Sequence, residues 1–368
     1  MIELEPILLQ IPLPRPRRVF PHSEPVETLP VWLVRVDDGQ NISHGEAIVL
    51  ETANLPAAVD FFADALANSD PRDFGLIWQR MVGLLKEYEP APPGDYSAVM
   101  GAIDMALWDL AGRALNVPCY ALAGGARAQQ VDCYAGGLYV DDPEMAAKAK
   151  QLRQKFGAIQ LTLTGDRAAD IAAVKSVRRV IGDEAPLLVD ADGCYENPEV
   201  ALAVGQALEQ AEVYWYQEPL PTGRWDEYAK LRPAIGPALA ADKRVFGLKS
   251  FERALQAQAL DAVVADLRLC GGMSGGQRLA ELSWLHEARL SFHNALSPLA
   301  QMAAVHLAVA HWHAGPLQIE PDSPVTGLTD PAPTLNNGFL RLPEGNGLGV
   351  TVSDKFVERH RVELPGYE

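Results

Sequence analysis

Leu187-Leu188-Val189-Asp190 begins a ladder of short apolar runs that each close on a polar, mostly acidic residue. The ladder continues through Tyr214-Trp215-Tyr216-Gln217-Glu218, Leu239-Ala240-Ala241-Asp242, Val263-Val264-Ala265-Asp266, Leu290-Ser291-Phe292-His293 and Leu317-Gln318-Ile319-Glu320, in steps of 28, 24, 24, 27 and 27 residues. A strand and a helix fill such a step, and their repetition is the mark of βα units on a parallel sheet. Closed into a barrel, these units bring the C-terminal strand ends into one ring, where barrel enzymes carry their chemistry. Any one of these acids would pass as a solvated strand end or a helix cap. Five carboxylates and an imidazole at barrel spacing read better as one cavity, because gathered carboxylates repel unless a cation joins them.

Working outward from this ladder, eight strands are expected at about 131–135, 158–163, 187–190, 213–218, 237–242, 262–266, 289–293 and 316–320. Amphipathic runs such as Pro143–Phe156, Arg167–Ile181, Asn197–Ala211, Ser250–Leu260 and Gly275–Ala288 serve as outer helices. Ahead of the barrel, residues 1 to about 50 alternate in a β manner, and helical patterns follow at 55–67, 74–87 and 96–115. Between the first two β runs lies Pro12–Pro30, rich in proline and basic residues (Arg15, Arg17, Arg18, His22). It reads as a loop, either an exposed linker or a lid whose cations meet an anionic substrate. Beyond Glu320 the chain turns to Pro, Gly and Asn and adds no ninth unit. The expected division is a cap over 1–127, a barrel over 128–325 and a C-terminal segment over 326–368 that packs back on the cap.

Composition narrows the function. A net charge of −17 argues against a nucleic-acid or anionic-membrane surface. Four scattered cysteines lack metal spacing, no stretch of about 18 apolar residues suggests a membrane span, and the N-terminus lacks signal-peptide character. A cytoplasmic protein with reduced thiols is expected.

Ala102-Ile103-Asp104-Met105-Ala106-Leu107-Trp108-Asp109-Leu110-Ala111-Gly112, with Gly124-Gly125 beyond it, resembles a signature of the enolase superfamily in its mandelate racemase and muconate lactonizing enzyme branch. The resemblance extends through Gly45-Glu46-Ala47, Tyr216-Gln217-Glu218-Pro219, Cys270-Gly271-Gly272, His293-Asn294-Ala295-Leu296-Ser297-Pro298 and Glu320. It implies an α/β fold, a modified TIM barrel (β/α)7β under an N-terminal α+β capping domain. It also implies Mg²⁺ held by Asp190, Glu218 and Asp242, and abstraction of the proton α to a carboxylate to give a metal-stabilised enediolate. Lys243 follows Asp242 where relatives commonly have an acid. In the same resemblance Asp266 and His293 pair as general base, the aspartate fixing the imidazole tautomer, and Glu320 donates a hydrogen bond to the enediolate. Strand two departs from the pattern: Gln160 and Thr162 stand where relatives carry a Lys-x-Lys pair, and neither is a base near neutral pH. The substrate-binding candidates are Gln160, Thr162, Arg17, Arg18 and His22, and Asp192 is a further acid or base candidate.

The expected partner is a small-molecule carboxylate, an acid sugar, bound by a homo-oligomer. A one-base dehydratase needs no strand-two lysine and leads. A racemase or epimerase using Asp192 or Lys243 on the second face, and a non-catalytic relative that keeps the fold, are the alternatives.

Overall fold

The computed structural model describes residues 2–17, 25–48, 52–66, 68–88, 94–241, 247–293 and 296–364. Arg18, His22, Asp242 and Lys243 lie outside these residues, as do the side chains of Arg15 and Arg17.

The cap opens with three antiparallel strands, β1 (Glu3–Arg17), β2 (Val26–Asp37) and β3 (Ile42–Ala47). Helices α1 (Asn54–Leu66), α2 (Phe74–Tyr88) and α3 (Asp95–Leu115) follow. Side chains alternate across a strand, and here both faces are covered. Ile7, Leu9, Ile11, Val31 and Leu33 enter the barrel's apolar core, whereas Leu8, Trp32, Val34 and Val36 pack with the cap helices. Glycine is required where β3 meets α3, since a Cβ on Gly45 would lie 1.7 Å from the Ala102 carbonyl oxygen.

After a one-turn helix α4 (Cys119–Leu122), eight parallel strands alternate with helices. The strands are β4 (Gln130–Tyr139), β5 (Ala158–Thr162), β6 (Leu187–Asp190), β7 (Val213–Gln217), β8 (Ala238–Ala241), β9 (Ala262–Ala265), β10 (Arg289–His293) and β11 (Ala314–Ile319). The helices between them are α5 (Met145–Arg153), α6 (Arg167–Ile181), α7 (Pro198–Gln210), α8 (Trp225–Leu231), α9 (Gly247–Gln256), α10 (Gly272–Leu285) and α11 (Pro298–Ala310). Pairing of Leu317 with Cys133 joins β11 to β4 and closes the ring. Side-chain caps start several helices: Asp166 accepts from Ala168 and Ala169, Asn197 from Glu199, and Ser297 from Ala300, the last two with proline at the next position.

The barrel strands fall where the ladder placed them. The proline-rich stretch differs. In place of a loop over Pro12–Pro30, β1 runs on to Arg17, which pairs with Val26 across a register shift. Prolines 12, 14 and 16 sit at alternate positions, so their missing N–H groups share one edge of the strand, and an edge is where proline is tolerated. The C-terminal segment serves both regions: strand Phe339–Arg341 runs antiparallel beside β4, and Arg361–Val362 adds to β1. Asp109 of α3 ties this segment down, accepting from the Leu348 N–H and the Ser43 hydroxyl, each at 2.7 Å. Among the described residues no helix is long and apolar enough to cross a membrane.

Candidate active site

Parallel register sets the strand ends at one level. Thr162 pairs with Asp190, and Asp190 with Gln217, so Glu218 follows one residue beyond that level. Asp266 directly follows β9, His293 ends β10, and Glu320 directly follows β11. Asp190, Glu218, Asp266 and His293 are all buried. Above them a cavity of about 620 Å³ is roofed by the cap through Leu29 to Trp32, Glu46 to Ile48 and Asp95. Gln160, Thr162, Asp190, Asp192, Asp266, His293 and Glu320 line it from the barrel, whereas Glu218, fully buried, is not part of the lining.

On the β6 side, the turn after Asp190 brings the Asp192 N–H to 2.9 Å from Asp190 Oδ1, with Asp192 itself at a left-handed φ of 49°. Such a φ is uncommon outside glycine and turns the Asp192 carboxylate into the cavity lining. Gln160 Nε2 donates to Gln217 Oε1 at 3.2 Å, which orients an amide where the resemblance led one to expect a lysine. Among the described residues no three His, Cys, Asp or Glu side chains gather as a metal cluster; Asp242, the third expected donor, lies outside them. The chemistry of the two described donors nevertheless fits a hard cation. Asp190 and Glu218 are buried carboxylates at the ends of hydrogen-bonded strands, oxygen ligands of the type Mg²⁺ takes, and a nearby cation offsets the cost of burying their charge.

On the β9 to β11 side the arrangement is different. Asp266 is held by Arg268, whose Nε lies 2.9 Å from Oδ1 and whose Nη2 lies 2.6 Å from Oδ2. His293 Nδ1 stands 3.9 Å from the same Oδ2. Glu46 reaches in from β3 toward the Ser297 hydroxyl and the Leu299 N–H at the start of α11. Burial pushes its carboxyl up to about 7, against the pull of Arg268 and of those two donors. Its Oε2 is buried with no hydrogen-bond partner.

Neither Arg268 nor Glu46 was among the site residues expected from the sequence, although Glu46 stood in the Gly45-Glu46-Ala47 motif. The signal for Arg268 was its place two residues past a ladder acid, on the turn that leads to Gly271-Gly272. Glu46 had weaker signal, because its neighbours come from more than 200 residues away.

Two family models match the chain. The one described as mandelate racemase / muconate lactonizing enzyme, N-terminal domain, covers residues 22–124, and the one described as enolase C-terminal domain-like covers residues 144–356. The chain is 29% identical to a D-gluconate dehydratase of Thermoproteus tenax, over 90% of this chain and 70% of that one. It is 26% identical to a D-galactarolactone cycloisomerase of Agrobacterium fabrum, over 90% and 91%. Its fold is that of a Streptomyces coelicolor A3(2) racemase solved with bound magnesium, at a TM-score of 0.86 and 24% identity, covering 98% of this chain and all of that one.

Proposed function

The chain belongs to the mandelate racemase/muconate lactonizing enzyme family, and on that premise we propose that it is a Mg²⁺-dependent dehydratase of acid sugars. The observation that carries this reading is the asymmetry of the cavity. His293 and Asp266 line one wall, whereas Gln160 and Thr162, neither of them a base, line the β5 wall. Removal of a proton from one face followed by loss of a hydroxyl needs one base, and one wall supplies it. Relatives that act as dehydratases support the choice.

In this reading His293 takes the proton α to the substrate carboxylate, with Asp266 beside its ring at 3.9 Å. The β-hydroxyl leaves as water, with the proton that His293 holds or with another from the site, and the resulting enol becomes a 2-keto acid. Asp190, Glu218 and Asp242 are the groups that would hold Mg²⁺. The ion, when bound, offsets the negative charge that grows on the substrate carboxylate as the proton departs. Gln160 and Thr162 contact the substrate from the opposite wall, and Glu320, when protonated, donates a hydrogen bond to the enediolate. The cap closes the cavity from above and keeps bulk water away from that charge.

A racemase or epimerase needs a second base facing His293, and Asp192 lines the cavity from the β6 side. A cycloisomerase would open or close a ring without loss of water. Incubation with Mg²⁺ and a panel of acid sugars separates the three. Formation of 2-keto acid, abolished in His293→Ala, is expected. Exchange of the α-proton for solvent deuterium with inversion, or an isomeric product of unchanged mass, would replace the dehydratase reading.

A further inference from the structure

Arg268 and His293 compete for one carboxylate. The guanidinium takes both oxygens of Asp266, with Nε at 2.9 Å from Oδ1 and 3.2 Å from Oδ2 and Nη2 at 2.6 Å from Oδ2. The Arg268 backbone N–H adds a fourth bond, to Oδ1 at 2.9 Å. A forked guanidinium–carboxylate pair is among the stronger and more directional polar contacts in proteins. His293 Nδ1, 3.9 Å from Oδ2, is beyond hydrogen-bond distance. All three residues are buried and line the same cavity. The two-residue step from Asp266 to Arg268 makes the clamp local, set by the turn after β9.

The other charges in this corner hold the guanidinium in place. Burial works against its charge, but Asp266, Glu46 from β3 and Glu320 from the end of β11 outweigh it and keep Arg268 above its usual pKa. Among the described residues that line the cavity, Arg268 is the one Lys or Arg. From across the ring the end of β6 presents Asp190 and Asp192.

We propose that Arg268 is a positioning residue that occupies both oxygens of Asp266, denies His293 a hydrogen bond to this carboxylate and so keeps the imidazole less basic than a hydrogen-bonded Asp–His pair would make it. A carboxylate bound to an imidazole favours the protonated ring, whereas a guanidinium near it disfavours that charge. The base is thereby ready to accept a proton at lower pH than in a tight pair. The inference rests on the reading of His293 as the base, and one of its two readouts does not depend on turnover.

The test compares Arg268→Met and Arg268→Lys in Mg²⁺-saturated protein. One readout is the acid limb of kcat/KM for whichever acid sugar reacts. The other is the pH titration of the His293 ring by NMR, its signals assigned by their loss in His293→Gln. With the guanidinium gone, Arg268→Met raises both midpoints by about one pH unit, a roughly tenfold loss of kcat/KM on the acid side of the limb. Arg268→Lys keeps the charge and moves them by less than about 0.3 unit. Arg268→Gln, which can still donate to Asp266, replaces the Met variant if that does not fold. Midpoints that stay put in Met or Gln, or that move as far in Lys, overturn the inference. A shifted His293 titration in a protein that dehydrates no acid sugar would leave the inference standing and reject the dehydratase reading instead.

Discussion

The two halves of the ring of strand ends handle their acids differently. At β6 and β7, Asp190 and Glu218 are buried oxygen donors suited to a cation from solution. At β9 to β11, Asp266, Glu320 and the cap's Glu46 surround a cation that the chain itself supplies, Arg268. The second half is therefore complete as soon as the chain folds, and its geometry is set by a three-residue turn. In the proposed function the first half changes with metal concentration. This division matches the chemistry proposed for each half: a base needs a fixed position and a fixed proton affinity, whereas charge building on a substrate is met by an ion.

The largest expected effect lies on the self-sufficient half. His293→Ala is expected to lower kcat by about 10³-fold, near 4 kcal/mol, with Mg²⁺ affinity by isothermal titration calorimetry unchanged. Loss of metal binding in the same variant would mean that the halves are not independent. Next comes the metal half. Mg²⁺ at a hundredfold excess over its Kd should stabilise the protein by about 2.7 kcal/mol, read as a rise in Tm that chelation reverses and Glu218→Gln abolishes. A Tm indifferent to chelation would remove the solution cation from the comparison.

A third effect depends on pH. Burial raises Glu46 from an ordinary 4.5 to about 7, so between those values the folded protein holds a proton that the unfolded chain has lost. Stability therefore falls as pH rises through this window and is level with respect to this group outside it. Glu46→Gln should gain on the wild type in denaturant midpoint from pH 4.5 to 7. A difference that is the same at every pH would show that Glu46 ionises normally and lies outside the charge cluster. The smallest effect is expected on the wall without a base. Gln160→Ala gives up one amide hydrogen bond, about 1 kcal/mol, and should slow turnover less than tenfold. A loss as large as that of His293→Ala would place a second catalytic group on that wall.

The barrel was legible because its signal is periodic. Each apolar run from Leu187 to Ile319 ends on a polar residue at helix-plus-strand intervals, and eight such units are the number that a closed barrel takes. The capping strands showed the same alternation, with Ile7, Leu9 and Ile11 on one face. Proline misled at residues 12 to 16, because composition marks a loop whereas spacing marks an edge, and the spacing prevailed. The start of α10 also differed, at Gly272 rather than Gly275. In the site, the strand-end positions could be read in advance, but contacts among them could not. Whether Asp266 turns to His293 or to Arg268 depends on side-chain rotation, which periodicity does not encode. Glu46 enters only because Gly45 lets β3 lie against α3, a tertiary fact that appears in the sequence as a single small residue.

The cap sheet has one face in the barrel's core and the other against its own helices. Among the described residues, a roof built in this way has no hinge of its own. Lifting it would strip Ile7, Leu9, Ile11, Val31 and Leu33 from the barrel's core, so opening the site from above would be an act of unfolding. Traffic into the cavity then passes at the rim, without motion of the domain that covers it.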